Sequence, residues 1–565
     1  MPALKEKSLR RASRLDWLLL GIIILQFVMI CYVNLTQTRL LTGYDSSISY
    51  YLTRKMWEQR TLFPTGFSHM RIYGWSSPVV PAYFLCYLTH DVFLSLGIMN
   101  IVFVLLFIGS FRLLLRELRI TGTFGLLCTI MLLTPYAASY ATDNALDYFS
   151  MTCITYCPYT SRFIFLFLIT AVYLRLMRGE KTRSTWVLLG LSLAFSFLIG
   201  SSAGISTLLM MVVPFILHVV VRFLAANDFS ELKKPASIYS YILAVTMYSG
   251  TIFAAKVINF TSRSEGIVWV NADELLDNLH GMVGGYFSLT SALPFQSEVP
   301  ISSKMGIAFG VLLCIALFLL IASILEIRKV LKKKDVKHPL FPVVLLVFVN
   351  LFIFLFADLR LSTTMTESRY MIPILTSFFL LSCSFLKDLL SDRKTIVKQL
   401  VLPALMLAFL FSNALSYYSL FHHRLDEGKY ERIASIVSST GTDLVYSYGS
   451  KVSSDSRILR VMDPDHTYHQ IADDVSYIDT FTDSSEYLTA DTYPGAVCLI
   501  TTEEDYATLP PLVTAAFSKL GETDGYTIYY AKENILSNAY LASTDKYATS
   551  IQVVDTNSES AVTAG

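Results

Sequence analysis

Eleven long apolar runs punctuate the chain, near residues 17–36, 93–111, 123–141, 161–178, 185–201, 205–222, 237–256, 305–326, 339–358, 371–387 and 399–417. Each approaches the roughly 20 residues that a helix needs to cross about 30 Å of hydrocarbon with its backbone polar groups satisfied internally. The pattern predicts an all-α polytopic membrane domain of about eleven transmembrane helices over residues 1–417. The first run follows KEKSLRRASR, but it lacks a small-residue cleavage site and many spans succeed it, so it reads as a retained first helix.

Beyond Tyr418 the pattern turns polar. YERIASIVSSTG carries Tyr430, Ile433, Ile436 and Val437 on one helical face. TDLVYSYG, AVCLITT and GYTIYYAKE read as strands, and DYATLPPLVTAAFSKLG as a helix interrupted at its prolines. This mixture predicts a small α/β domain over residues 418–540. Residues 541–565, rich in Ser, Thr, Ala and Asp, are expected to be disordered.

Composition agrees with a membrane protein: 53% of the residues are hydrophobic and 16% charged, with a mean hydropathy of +0.51. A net charge of +1 leaves no concentrated basic surface for a phosphate backbone, so nucleic acid is excluded as a partner. Charge instead reports topology. Arg112, Arg116 and Arg119 follow the second run; Arg175, Arg178, Lys181 and Arg183 the fourth; Lys233 and Lys234 the sixth; RKVLKKKDVKH the eighth; Lys387, Arg393, Lys394 and Lys398 the tenth. The positive-inside rule makes these segments and the N-terminus cytoplasmic, and an odd number of spans leaves the α/β domain extracytoplasmic. A multi-pass cell-membrane protein follows, and the absence of a terminal retention signal points to a bacterial plasma membrane. Eight scattered cysteines make no metal-finger spacing; Cys153 and Cys157, four apart, either pack or pair.

Candidate chemistry gathers in the opposite, outer segments: 37–92, 142–160, 257–304, 359–370 and the chain after 418. The first begins TGYDSSISYYLTRKMWEQRTLFPTGF, in which Asp45 precedes an amphipathic stretch expected to lie along the membrane surface through Tyr50, Tyr51, Met56 and Trp57. Asp45 is either a general base or metal ligand in a partly dry site, or a solvated loop acid or helix cap. In the second, TDNALDYFSMTCITYCPYTSR, Asp143 and Asp147 share a helical face and suit a pocket or a cation; the alternative is an N-cap and a surface acid. Arg162 follows, where the chain re-enters the membrane, and either snorkels or binds a lipid phosphate.

In the third, NADELLDNLHGMVGGYFSL reads as a short amphipathic helix ending in a glycine turn, with Asp273, Glu274, Asp277 and His280 as possible acceptor-groove residues and a poor zinc signature. The fourth, DLRLSTTMTESRYMIPIL, supplies Glu367, Arg369 and Tyr370: either a phosphate-binding group or a surface ion pair beside an aromatic-belt tyrosine. Sequons at Asn34 and Asn259 lie near span ends.

GYD just beyond the first span, an aromatic and basic helix, a Gly/Pro segment, and RY-x-x-P opening a late span resemble the GT-C superfamily of membrane glycosyltransferases, which includes protein mannosyltransferases and the aminoarabinose transferases of lipid A. The resemblance implies an outer-face active site with an essential first-loop acid, matched by Asp45, and second-loop acids as partners, matched by Asp143 or Asp147. It further implies that late-loop cations contact the donor phosphate, matched by Arg369. A lone aspartate stands where the mannosyltransferases have paired acids.

The expected activity is transfer of a sugar from a polyprenyl-phosphate donor to an extracytoplasmic acceptor, a cell-envelope glycan, lipid or protein. A divalent cation, Mg or Mn, held by Asp45, Asp143 and Asp147 is a possible cofactor, and membrane lipids are expected partners. The alternatives are a transporter or flippase of lipid-linked sugars, which predicts charges in mid-span and helices broken at the midplane, and a non-catalytic anchoring protein.

Overall fold

A computed structural model of the chain describes residues 13–64, 76–137, 148–154, 158–256, 268–292, 299–362, 365–366, 368–391, 396–422, 428–471 and 493–536. All eleven apolar runs form helices within it. In order they are α1 (Arg14–Thr36), then α2 (Tyr44–Gln59) and α3 (Val79–Thr89) in the first loop, α4 (Val92–Glu117), α5 (Thr123–Leu133), the short α6 (Tyr148–Thr152), α7 (Pro158–Met177) and α8 (Arg183–Thr207). A π-turn at Leu208–Val212 leads into α9 (Val213–Ala226), followed by α10 (Pro235–Lys256), α11 (Leu275–Leu289), α12 (Lys304–Lys332), α13 (Phe341–Phe356), α14 (Ile372–Ser391) and α15 (Ile396–His422). Among the described residues nine helices are long and apolar enough to span a bilayer, while α3, α5 and α13 are apolar but shorter. The protein is a multi-pass membrane protein. The join between α8 and α9 turns on Gly204, whose φ of 65° and ψ of −160° only glycine adopts without strain.

The two ends of the bundle differ in chemistry. At one end the basic segments predicted from sequence meet one another. Glu117 accepts from Arg175 Nε at 2.8 Å and also pairs with Arg178. Arg222 and Lys234 both pair with Glu231, Lys329 pairs with Asp388, and Lys387 Nζ donates to the Arg119 carbonyl at 2.9 Å. Asp16, near the start of α1, accepts from Thr123 Oγ1 at 2.6 Å at this same end.

At the other end, the first, third and fourth outer loops cover the helix tips. Asn278 of α11 donates to the carbonyls of Leu355 and Ala357, at 3.1 and 2.9 Å, closing the C-terminus of the 16-residue α13. Helix α11 runs on through Gly284 and Gly285 to Leu289 rather than stopping at a glycine turn. Glycine is tolerated there because Gly285 and Tyr286 are buried against the bundle, so tertiary packing overrides propensity.

After α15 come α16 (Lys429–Ser438), α17 (Ser450–Met462) and a five-stranded sheet in the order β4-β3-β5-β7-β6. Its strands are β3 (Leu444–Tyr448), β4 (Thr467–Ile471), β5 (Val497–Thr501), β6 (Ser518–Thr523) and β7 (Tyr526–Ala531); a two-stranded β1 (Arg360–Ser362) and β2 (Met365–Thr366) precede them in the fourth outer loop. Strand β3 is parallel to β4 and β5, whereas β7 is antiparallel to β5 and β6. Alternation sends Val445 toward Ile433, Val437 and Leu459 of α16 and α17, and Leu444, Tyr446 and Tyr448 toward Leu509 and Phe517 on the opposite face. The expected proline-broken helix is instead two short helices, Glu503–Tyr506 and Pro511–Ala516, followed by β6. Pro510 and Pro511 lack donors to continue a helix, and SKLGET finds its backbone partners on β7. The tail expected to be disordered lies outside the described residues.

Candidate functional site

Helix α2 presents the GYD segment. Gly43 is its N-cap, with Ser46 Oγ accepting from the Gly43 backbone N–H at 2.7 Å, so Asp45 occupies the second helical position. There the partial positive charge of the helix N-terminus favours an anionic side chain. The Asp45 side chain itself lies outside the described residues. Its helix is not laid on lipid as the sequence suggested: Tyr50, Tyr51, Leu52 and Met56 are buried against Val79, Ala82 and Tyr83 of α3, Val92 and Phe93 of α4, and Val461 of α17. Two tyrosine rings find more contact inside this protein cluster than at a bilayer surface. One consequence is that the α/β domain docks on the Asp45 helix, on the same side of the bundle as the outer loops.

Arg54, which the sequence reading passed over, is a neighbouring cation in YYLTRKMW. Its side chain is 14% exposed, its guanidinium lies 5.5 Å from the Tyr51 ring and 3.3 Å from Glu58, and its buried Nη1 has no hydrogen-bond partner among the described residues. Nine residues separate it from Asp45, which places the two on opposite sides of α2, about 13 Å apart along the axis. Arg54 therefore belongs to a different surface of α2.

The floor of the site is set by α5. Its eleven residues rise about 16 Å, roughly half the hydrocarbon thickness. A helix ending at that depth must have its last carbonyls satisfied by side chains, and it does. Tyr136 Oη donates to the Met131 carbonyl and Tyr148 Oη to the Leu132 carbonyl, both at 2.8 Å. Gln26 Nε2 of α1 donates to the Ile130 carbonyl at 3.3 Å and to Asn413 Oδ1 of α15 at 2.8 Å, while Asn413 Nδ2 donates to Thr134 Oγ1 at 3.1 Å. Ser416 Oγ then donates to the Ala137 carbonyl at 2.6 Å. Within the apolar run 123–141 the local stop signal is Pro135, two residues beyond Leu133, while Gln26, Asn413 and Ser416 come from remote parts of the chain.

Helix α5 packs against α1, α4 and α14. The Asp45 helix stands on α4, and the 3-10 turn Ser368–Met371, which carries Arg369 and Tyr370, leads into α14 and packs on α11. The half-length helix thus touches both α4, on which the Asp45 helix packs, and α14, into which the Arg369 turn leads. Tyr370 is partly buried, 6.4 Å from the Phe354 ring. Arg162 lies near the outer end of α7 with its guanidinium 4.7 Å over the Tyr159 ring, and it makes no ion pair among the described residues.

Asp143, Asp147 and Glu367 lie outside the described residues, as do the Arg369 side chain, Cys157 and the Asn259 sequon. Asp273, Asp277 and His280 are exposed around α11, and the residue of that segment turned inward is Asn278. Asn34 is fully buried, donating to Cys153 O at 2.9 Å and accepting from Asn100 at 3.1 Å, so its sequon is inaccessible in the folded chain. Among the described residues no group of three His, Cys, Asp or Glu side chains stands together as a metal site.

In the α/β domain, Asp463 accepts from Tyr468 Oη at 2.5 Å and pairs with His466 Nδ1 at 2.8 Å, just beyond the docking helix α17. Burial and the Asp463 carboxylate hold the Tyr468 phenol well above its usual range.

No family model and no curated protein matches the sequence. Solved structures do. ArnT from Cupriavidus metallidurans in the apo state aligns with 92% of this chain and 98% of its own at a TM-score of 0.56 and 11% identity. The same protein bound to undecaprenyl phosphate aligns over 93% and 99%, at 0.51 and 10% identity. The chain shares the fold of ArnT. An Archaeoglobus fulgidus oligosaccharyltransferase in complex with Zn and sulfate also aligns, over 90% of this chain and 73% of its own, at 0.49 and 12% identity. The α/β domain seated on α2 is part of the matched length.

Proposed function

We propose that the protein is a glycosyltransferase that moves a sugar from a polyprenyl-phosphate donor to an acceptor on the extracytoplasmic face of a bacterial plasma membrane. The observation that supports this reading is the half-length α5, in contact with both α4 beneath the Asp45 helix and α14 after the Arg369 turn; a lipid-anchored donor beside it would seat its sugar below the membrane surface. The carbonyl end of α5 is no anion site, so a leaving phosphate requires cations from elsewhere. Arg162 and Arg369 are the assigned clamps, because a guanidinium stays charged and makes paired bonds to phosphate. The solved ArnT complex with undecaprenyl phosphate supports a lipid-linked donor.

Asp45 takes the proton of the acceptor hydroxyl as its oxygen attacks the anomeric carbon, and the bond from that carbon to the donor phosphate oxygen breaks. The sugar ends on the acceptor, the proton on Asp45, and the charge on the polyprenyl phosphate. The guanidiniums of Arg162 and Arg369 stabilise that phosphate, and Glu367 and Tyr370 orient the donor. A divalent cation held by Asp45 with Asp143 or Asp147 would add a Lewis acid there. Nucleotide sugars are confined to the cytoplasm, whereas a polyprenyl tail delivers its sugar to the outer face. The N-terminus and the basic end of the bundle are then cytoplasmic, and the docked α/β domain binds the acceptor beside α2.

A helix ending in mid-membrane also suits a flippase of lipid-linked sugars. Among the described residues, however, the groups that cap the α5 end are neutral: Gln26, Thr134, Tyr136, Tyr148, Asn413 and Ser416. Incubation of the purified protein with a radiolabelled polyprenyl-phosphate sugar and membrane acceptors separates the two readings. Transfer moves label from the lipid to the acceptor, whereas label that stays lipid-linked refutes the transferase.

A further inference from the structure

Helix α12 carries a second, unassigned feature at the basic end of the bundle, far from the outer loops. An open cavity of about 460 Å³ is lined by Leu325, Arg328, Lys329, Lys332 and Lys333. Helical spacing puts Leu317, Ile321, Leu325, Arg328 and Lys332 on one face of α12, with Ile324 at its edge. The four apolar residues of that stripe are all exposed, at 38% for Leu317, 54% for Ile321, 52% for Ile324 and 41% for Leu325. One continuous stripe thus passes from bare aliphatic surface to two stacked cations within about two helical turns.

The acids nearby do not neutralise it. Glu326 is buried, accepting from Ser384 Oγ at 2.9 Å, and both Glu326 and Asp388 are engaged with Lys329. Asp335 accepts from the backbone N–H of Lys337 at 2.9 Å. The side chains of Arg328, Lys332 and Lys333 make no ion pair or hydrogen bond among the described residues. Three uncompensated cations above a lipid-facing stripe match a single anionic headgroup with acyl chains running along the helix beneath it. A phosphocholine headgroup would bring a cation of its own into a site that already holds three.

We propose that this surface is a binding site for an anionic glycerophospholipid, with its phosphate held by Arg328 and Lys332 and its acyl chains against Ile321, Ile324 and Leu325. The site does not depend on the transferase reading, since it uses no residue of the outer face.

Native mass spectrometry of the full-length protein, released from micelles doped with equal amounts of phosphatidylglycerol and phosphatidylcholine, tests it. Phosphatidylglycerol adducts are expected to exceed phosphatidylcholine adducts by about tenfold, and Arg328→Gln with Lys332→Gln to weaken phosphatidylglycerol binding about thirtyfold, the size expected for two cations at an anionic headgroup. Lys304→Gln, at the opposite end of the same helix, should leave it unchanged. Leu325→Asn should weaken long-chain phosphatidylglycerol but spare a dihexanoyl form, whereas inorganic phosphate alone should not compete at millimolar concentration. Equal retention of the two lipids by the wild-type protein overturns the proposal even if the double variant fails to fold. So does undiminished binding by a folded double variant, or full displacement by inorganic phosphate.

Discussion

Gln26 of α1 and Asn413 of α15 meet at 2.8 Å across the end of α5, joining the first and last membrane helices through a contact that spans 387 residues of sequence. Its neighbours include Thr134 and the Ile130 carbonyl, so the pair closes a helix end that would otherwise stand open in hydrocarbon. Gln26→Leu and Asn413→Leu should each lower the thermal midpoint in detergent. Their coupling in a double-mutant cycle should be about 0.6 kcal/mol and no more than about 1.7 kcal/mol, the range for hydrogen bonds between membrane helices. Strict additivity would mean that the pair does not hold α5.

The seat of the α/β domain depends on apolar contact between Val461 and the Tyr50–Met56 stretch of α2. A carboxylate placed in this apolar contact loses its hydration, so Val461→Asp should release the domain and raise amide hydrogen exchange across residues 44–59. Val461→Ala should cost about 1–3 kcal/mol and leave exchange nearly native. Unaltered protection of α2 in the aspartate variant would show that the helix does not rely on the domain.

Glu117 is 6% exposed and takes two guanidiniums, from Arg175 and Arg178. Replacement by Leu leaves the buried Arg175 charge without its partner and should destabilise the folded protein by about 3–5 kcal/mol. Thermal unfolding measures this, and a change below about 1 kcal/mol would reduce the cluster to a solvated surface pair.

Acid should loosen the outer domain through Asp524. The Arg432 guanidinium, accompanied by a Thr523 hydrogen bond and opposed by slight burial, holds the Asp524 carboxyl below its ordinary value of 3.8. A depressed folded pKa contributes stability above the unfolded value and loses it as pH falls through the folded one. Below pH 3.8 the wild-type midpoint should therefore fall more steeply than that of Arg432→Gln, with the two slopes alike above pH 5. Parallel curves throughout would remove Asp524 from the acid response.

Much of the fold was legible because lipid and sheet impose simple periods. The eleven apolar runs all became helices, and Ile433 and Val437 of α16, the β3, β5 and β7 strands and the grouping of basic loops at one end all follow from pattern. Much of what pattern missed depends on partners remote in sequence, although Pro135 is a local stop signal that the apolar run 123–141 passed over. Helix α5 stops at Leu133 because Gln26, Asn413 and two tyrosines cap it, and α2 turns inward because α3, α4 and Val461 offer its tyrosines a better surface than lipid. Helix α17 and strand β4 escaped notice because SKVSSDSRILRVM and TYHQI carry too few apolar residues to stand out. For the candidate site, the sequence offers Asp45, Arg162, Arg369 and Tyr370 by residue type and loop position, whereas the burial of Arg54, on another surface of α2, is revealed only by packing.

The central claim is that Asp45 accepts the proton of an incoming acceptor hydroxyl. Asp45→Asn keeps the shape of the side chain and removes the base, so the direct measurement is the initial rate of sugar transfer from a radiolabelled polyprenyl-phosphate donor by wild-type and variant proteins of equal thermal midpoint. A fall of about 10²- to 10⁴-fold, the usual contribution of a general base, is the predicted result. Wild-type transfer by a folded Asp45→Asn protein would contradict the assignment.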